Sequence, residues 1–446
     1  MDNWKITIWA LLFLLGGSAL KGWAQDDRRA RAERIYEHLI EGRGDSIYTA
    51  LNDEAQRQLS PAVFADTWRQ LTGQFGALKS AGAWTQEAVQ GVELCRRDLT
   101  FERYRLRLLV GFDADGRLNT IRVVPAPEPA GAPAVAFDRT LMEERDTVVV
   151  TDGYRLPATL TLPRLKEEGR RVPCVVLVHG SGPNDRDETI GPNKPFRDLA
   201  WLLAYRGIAT LRYDKRTKVY GADCVPQGRR LDMDVETVDD ALSAVRLVLP
   251  QVAADSVFVL GHSQGGMMAP RIARRSPQVA GIIIVAGPAR PFEDLLVEQS
   301  EYLASLTTPS EQTRAQLDEL KRQVANVKRL GTPAFSDTIA LPLGLPKRYW
   351  EFLRAYRPVE VASALTCPLL VLQGERDYQV TMQDYGLWLM GLLTRPKAQL
   401  KSYPALNHLL QEGKGKSTPL EYNEARPVPS CVADDVAGFI RGRDVR

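Results

Sequence analysis

Three side chains far apart in the chain, Ser263, Asp377 and His408, are of the types that together cleave acyl bonds. Ser263 stands in Gly-His-Ser-Gln-Gly-Gly at 261–266, directly after an apolar run at 257–260 and before a helical pattern. Small residues two before and two after it, Gly261 and Gly265, fit a tight strand-to-helix turn that pushes the serine clear of the backbone. At the head of the following helix, backbone N–H groups favour developing negative charge. A serine hydroxyl is a weak nucleophile until a base takes its proton, so the turn calls for a histidine and an acid to orient it.

The base follows by elimination, because the chain holds four histidines. His38 falls in a separate N-terminal segment, and His179 ends an apolar run. His262 lies inside the turn, where its ring should point away from the serine and pack or hydrogen-bond as structure. His408 remains, in a loop after the strand read at 399–403. Asp377 is the acid, in the loop 374–380 after an apolar strand at 368–372, with Glu375, Glu293 or Asp294 as substitutes. The run 172–178 leads into a loop rich in small residues, from which a backbone N–H can reach an oxyanion. The two donors are assigned to Ser181 and to Gln264, the residue after the nucleophile.

These motifs, HGSGPNDRDE at 179–188, RYDKR at 212–216, GHSQGG at 261–266, GERDYQV at 374–380 and LNHL at 406–409, carry a resemblance. The chain resembles the secreted bacterial α/β-hydrolase esterases of the serine-aminopeptidase-like and dienelactone-hydrolase-like clan that carry a small α+β domain in front. The order Ser, Asp, His agrees with an α/β-hydrolase sheet and differs from the chymotrypsin and subtilisin orders. The resemblance implies hydrolysis of carboxylic esters; the spacing alone implies a triad. One departure is that YDKR continues here as Thr217, Lys218, Val219, Tyr220 and Gly221, where relatives tend to carry a Gly-rich stretch.

Helices are predicted at 29–41, 47–58 and 61–71, then a strand at 101–112 that returns as a hairpin over 118–124, giving a small α+β domain at 26–124. The Pro- and Ala-rich stretch 125–136 cannot sustain a helix or a central strand and marks the boundary. From 137 to 446 an antiparallel pair around Asp152-Gly153 precedes alternating strands and helices, hence a mostly parallel sheet. Helical patterns at 292–306, 310–330 and 346–356 interrupt that alternation as a cap over about 288–361. Its Tyr302, Phe335, Tyr349, Trp350 and Phe352 are candidates for the substrate wall.

At 446 residues with 44% hydrophobic and 25% charged residues, the chain is long enough for more than one domain and a sizeable core. A net charge of +3, with no basic stripe, no metal-type Cys/His spacing and no phosphate-cradling loop, argues against nucleic acid, metals and nucleotide cofactors. Five cysteines leave at least one without an intramolecular partner. Lys5 followed by an apolar run at 6–15 and small residues up to Ala24 reads as a signal peptide at 1–24, cut after Ala24, and predicts a periplasmic or secreted protein. The run is shorter than the roughly 20 residues that span a bilayer, so no stable membrane anchor is expected.

The reading is a serine carboxylesterase acting on a small-molecule ester, with a short acyl group, and needing no cofactor. Three rivals share the motifs. An aminopeptidase would need acidic cap residues, such as Glu293, Asp294 and Glu298, to hold a substrate ammonium. An acyltransferase would need a site that excludes water, and a non-catalytic binding protein would form no acyl-enzyme.

Overall fold

The computed structural model describes residues 25–58, 60–89, 92–102, 105–126, 137–164, 171–251, 256–306 and 309–445. The predicted signal peptide and most of the Pro/Ala stretch lie outside the described residues. Contacts divide the chain into two compact units, Met1–Gly131 and Ala132–Arg446.

In the first unit, helices α1 (Gln25–Ile40), α2 (Gly44–Ala50), α3 (Asp53–Gln58) and α4 (Pro61–Phe75) precede an antiparallel sheet. Its strands are β1 (Leu78–Ala81), β2 (Thr85–Val89), β3 (Val92–Phe101), β4 (Arg105–Phe112) and β5 (Leu118–Pro125). Ile35, Leu39, Ile47, Phe64 and Phe75 from the helices bury against Leu99, Leu106, Leu108 and Val110 from the sheet. Two boundaries differ from those read in the sequence. The helix predicted over 47–58 breaks at Leu51, which is extended and bridges Leu118, and the Asn52 side chain accepts from Ala55 N–H to start α3. Phe101 closes β3, which pairs back on β4 with Leu99 opposite Leu106, so the alternation read across 101–112 spans two strands.

The second unit is built on eight strands: β6 (Met142–Thr151), β7 (Tyr154–Pro163), β8 (Cys174–Val178), β9 (Ala209–Tyr213), β10 (Val257–His262), β11 (Val279–Val285), β12 (Leu369–Gly374) and β13 (Ala398–Tyr403). They lie in the order β13-β12-β11-β10-β8-β9-β7-β6, with β7 antiparallel to both neighbours and the rest parallel. This is the α/β-hydrolase sheet. Its central strands are apolar without a break because helices cover both faces. Val176, Val259, Ile282, Ile284 and Val371 face one core, with Val245 of α7 (Asp239–Val248) and Met268 of α8 (Gln264–Arg275). Val175, Leu177, Leu260, Ile283 and Leu370 face the other, with Leu199 of α5 (Pro195–Ala204) and Val436 of the C-terminal helix Ser430–Ile440; the short α6 (Arg216–Tyr220) follows β9.

Between β11 and β12 the chain leaves the sheet, and its described residues form four α-helices: Phe292–Ser305, Glu311–Val327, Lys347–Ala355 and Pro358–Ser363. The sequence pattern had indicated the first three. The fourth begins at Pro358, whose fixed φ suits a helix start, and is too short to show a period. Among the described residues, no helix is long and apolar enough to cross a membrane.

Candidate active site

Parallel strands present their C-terminal ends on one side of the sheet, and the candidate residues follow those ends. Ser263 follows β10 with φ 52° and ψ −117°, a left-handed conformation that L residues seldom adopt. The turn is possible only because the residues two before and two after it lack side chains. A Cβ on Gly261 would sit 2.1 Å from the Gly265 carbonyl oxygen, and one on Gly265 would sit 2.1 Å from the Val178 oxygen. Ser263 N–H donates to Val285 O at 2.8 Å, and α8 starts at the next residue.

Asp377 and His408 are brought together although they stand 31 positions apart in the chain. His408 Nδ1–H donates to Asp377 Oδ2 at 2.6 Å, and both side chains are buried. The other Asp377 oxygen accepts from Gln379 N–H at 2.7 Å and Val380 N–H at 3.0 Å, so the carboxylate is held in one orientation. Nδ1 is thereby the protonated nitrogen, and Nε2 is the one that can accept a proton. Among the described residues Ser263 Oγ makes no hydrogen bond.

Gly180 packs on the turn, since a Cβ built on it would lie 3.2 Å from Ser263 Cβ. Ser181 follows in the exposed loop, and Gln264 is buried at the head of α8. Neither the Ser181 N–H nor the Gln264 N–H has an acceptor within the protein among the described residues. Two unpaired donors beside a serine turn can take up a negative oxygen.

Several residues around this centre were not assigned from sequence. Glu188 Oε1 accepts from Gly180 N–H at 2.7 Å, and Glu188 Oε2 lies 3.0 Å from His262 Nδ1. His262 Nε2 lies 2.8 Å from the His408 carbonyl oxygen, and the two rings are 4.6 Å apart. With a carboxylate on one nitrogen and a carbonyl on the other, both nitrogens of His262 face acceptors. Burial favours the neutral ring, but Glu188 outweighs it and holds His262 above the ordinary histidine value. Burial likewise raises Glu188, and His262 outweighs it to leave the carboxyl below its usual range. His179 differs: burial pushes it down to about 4, Glu188 only partly opposing, and its Nε2 has no partner. Both rings are buried.

Asn407 and Arg376 hold the two loops in register. Asn407 Oδ1 accepts from Leu409 N–H and Gln411 N–H, each at 3.0 Å, which shapes the turn that carries His408. Arg376, next to Asp377, donates to Gly415 O at 2.6 Å and Ala405 O at 3.3 Å and pairs with Glu421. The charged motif residues interlock in the same way: Arg186 with Asp214, Asp187 with Arg212, and Arg216 with Asp240. The motifs themselves were the available signal for these, since adjacent opposite charges in strand-end loops seek partners across the sheet. Of the aromatic residues read as a substrate wall, Trp350 is fully buried in the core and Tyr349 is buried against Glu236, so neither lines an open wall. Phe335 lies under Lys347 and Phe352 under Arg271.

Residues 173–414 match the family model described as serine aminopeptidase, S33, and residues 32–120 match a model described as a protein of unknown function, DUF3887. The chain is 36% identical over 438 residues to esterase EstD of Thermotoga maritima, covering 98% of this chain and 99% of that protein. It is 32% identical over 213 residues to the putative esterase NocK of Nocardia uniformis, covering 42% of this chain and 57% of that protein. Est1E from Butyrivibrio proteoclasticus aligns in three dimensions at a TM-score of 0.43 and 18% identity, over 67% of this chain and 98% of that one. A family match over more than half the chain, a full-length relative and a sheet of this order agree that the protein belongs to the serine aminopeptidase S33 family of α/β-hydrolases and is a serine hydrolase.

Proposed function

We propose that the protein is a carboxylesterase that works through Ser263, His408 and Asp377, with the backbone N–H groups of Ser181 and Gln264 as oxyanion donors. The observation that carries the reading is the buried 2.6 Å bond from His408 Nδ1 to Asp377, which leaves Nε2 as the base. The full-length similarity to an esterase supports the choice of ester as substrate. In the first step, Ser263 Oγ attacks the ester carbonyl carbon while His408 Nε2 takes the hydroxyl proton. The carbonyl oxygen, now negative, accepts from Ser181 and Gln264. As the tetrahedral species collapses, the bond to the alcohol oxygen breaks and His408 returns the proton to that oxygen. Water, deprotonated by His408, then attacks the acyl-enzyme, and the carboxylic acid leaves with Ser263 restored.

The aminopeptidase alternative is disfavoured by the pairing of its three candidate acids. Glu293 pairs with Arg354 at 2.7 Å, Asp294 with Lys328 at 2.5 Å and Glu298 with Arg290 at 2.6 Å, so a substrate ammonium would have to displace a cation already in place. A short acyl preference, and export directed by residues 1–24, remain part of the proposal on the sequence reading. The test is intact mass after exposure to a fluorophosphonate, with a p-nitrophenyl ester series from acetate upward. One adduct is expected on the wild type and none on Ser263→Ala, whose turnover should drop by about 10⁴-fold or more. Near-normal turnover by Ser263→Ala would sink the triad, and activity rising with chain length would sink the short-acyl preference.

A further inference from the structure

Lys215 and Glu236 form a buried ion pair, Nζ to Oε1 at 2.6 Å, with 2% and 9% of their side chains exposed. Burying such a pair is a poor source of stability, because desolvation of two charges consumes most of their attraction. What each partner touches besides the other is more telling. Lys215 Nζ also donates to Gly180 O at 3.0 Å, and Asn184 Nδ2 donates to the same oxygen at 3.1 Å. Glu236 Oε1 accepts from Gln264 Nε2 at 3.2 Å, and its Oε2 accepts from Tyr349 OH at 2.6 Å. Burial raises the Glu236 carboxyl, but Lys215 and these hydrogen bonds outweigh it and hold the group below its usual range. Glu236 lies in a π-helical turn, Asp234–Val238, inside the helix that runs on into α7, a local departure from helical period that frequently marks a functional position.

We propose that this pair positions the oxyanion hole, Lys215 through the Gly180–Ser181 peptide and Glu236 through the Gln264 side chain. The inference rests on the triad and donors proposed above. In a trans peptide the C=O and N–H point in opposite directions, so a cation fixed on Gly180 O sets the direction of the Ser181 N–H. Glu188 ties the preceding peptide by its N–H, and both planes flanking Gly180 are therefore held. The ammonium also polarises the peptide it binds, which strengthens the dipole that Ser181 offers to a negative oxygen. On the other side of the hole, the anchored Gln264 side chain fixes the residue whose backbone supplies the second donor. Lys215 and Glu236 are positioning residues: neither touches substrate.

The test uses the full chain. Lys215→Met alone leaves Glu236 as an unpaired buried anion and risks misfolding, so the decisive variant is Lys215→Met/Glu236→Gln, which removes both charges and keeps hydrogen bonds to Tyr349 and Gln264. Fluorophosphonate titration counts working sites in wild type and variant. Per titrated site, kcat should fall about a hundredfold, as for loss of an oxyanion donor, with KM for a p-nitrophenyl ester within about threefold of wild type. Ki for a trifluoromethyl ketone, whose serine adduct places an oxyanion in the hole, should rise by the same factor. A merely structural role would lower the number of sites and leave kcat and Ki per site within about twofold, and that result overturns the proposal. So does a lower kcat with unchanged Ki. If the wild type itself takes no adduct at Ser263, the triad reading has failed and this inference fails with it, a result recognisable before any variant is compared.

Discussion

The two histidines that flank the candidate centre show how contact geometry decides a residue's charge. His262 has the Glu188 carboxylate 3.0 Å from one nitrogen and a backbone carbonyl 2.8 Å from the other, whereas His179 is packed edge-on to Tyr213. His179, held near 4, binds its proton only in the unfolded chain between pH 6.5 and about 4. Stability should therefore fall as pH drops through that window, by on the order of 2 kcal/mol at pH 4.5. His262, raised by Glu188, acts in the opposite sense: its contribution is complete below pH 6.5 and is lost as pH rises through its folded-state value. Glu188, lowered, contributes above the ordinary glutamate value and is lost only as pH falls through its depressed one. Urea midpoints of the hydrolase unit at pH 4.5 and 6.5 check this, and His179→Phe should flatten the difference between them. An equally large difference in His179→Phe would assign the acid sensitivity to carboxylates.

At the scale of elements, the strand–turn–helix around Ser263 depends on backbone packed against backbone. Gly265→Ala would drive a Cβ to 2.1 Å from Val178 O and 2.7 Å from His179 O, both backbone atoms that cannot rotate away. The variant should lose about 3 kcal/mol of stability and most of its activity, read by thermal melting and ester turnover. Gly386→Ala, at a helical position with nothing within 4 Å of the new Cβ, should be neutral or stabilise by about 0.5–1 kcal/mol. A Gly265→Ala protein that melts like wild type would mean that β8 can withdraw from the turn. This element was legible from two glycines and a run of apolar residues because a tight turn has few chemical solutions. Leu51 was not: nothing in 47–58 signals that one residue will leave the helix to bridge Leu118, a contact 67 positions away.

At the scale of the molecule, each unit has its own core, one around Phe64 and Phe75 and the other on the two faces of the eight-stranded sheet. Unfolding is therefore expected to depart from two-state behaviour. Phe64→Ala removes a fully buried ring and should cost about 3–5 kcal/mol, lowering one calorimetric transition and leaving the other in place. A single transition that shifts as a whole would show that the two units unfold together.

The alternation of strands and helices, the serine turn, and the order in which serine, acid and histidine follow strand ends are legible in the chain alone. These are properties of short segments, and periodicity and glycine spacing suffice to read them. Tertiary structure alone decided what those residues rest on. Glu188 against His262, Arg376 across to Gly415, and Lys215 and Glu236 around the Gly180 peptide join loops that lie far apart in the chain. A charged residue read in sequence is a solvated side chain until folding removes the water. Its partner is then whichever opposite charge or backbone oxygen the sheet order brings to the same strand ends, and no local pattern records that choice.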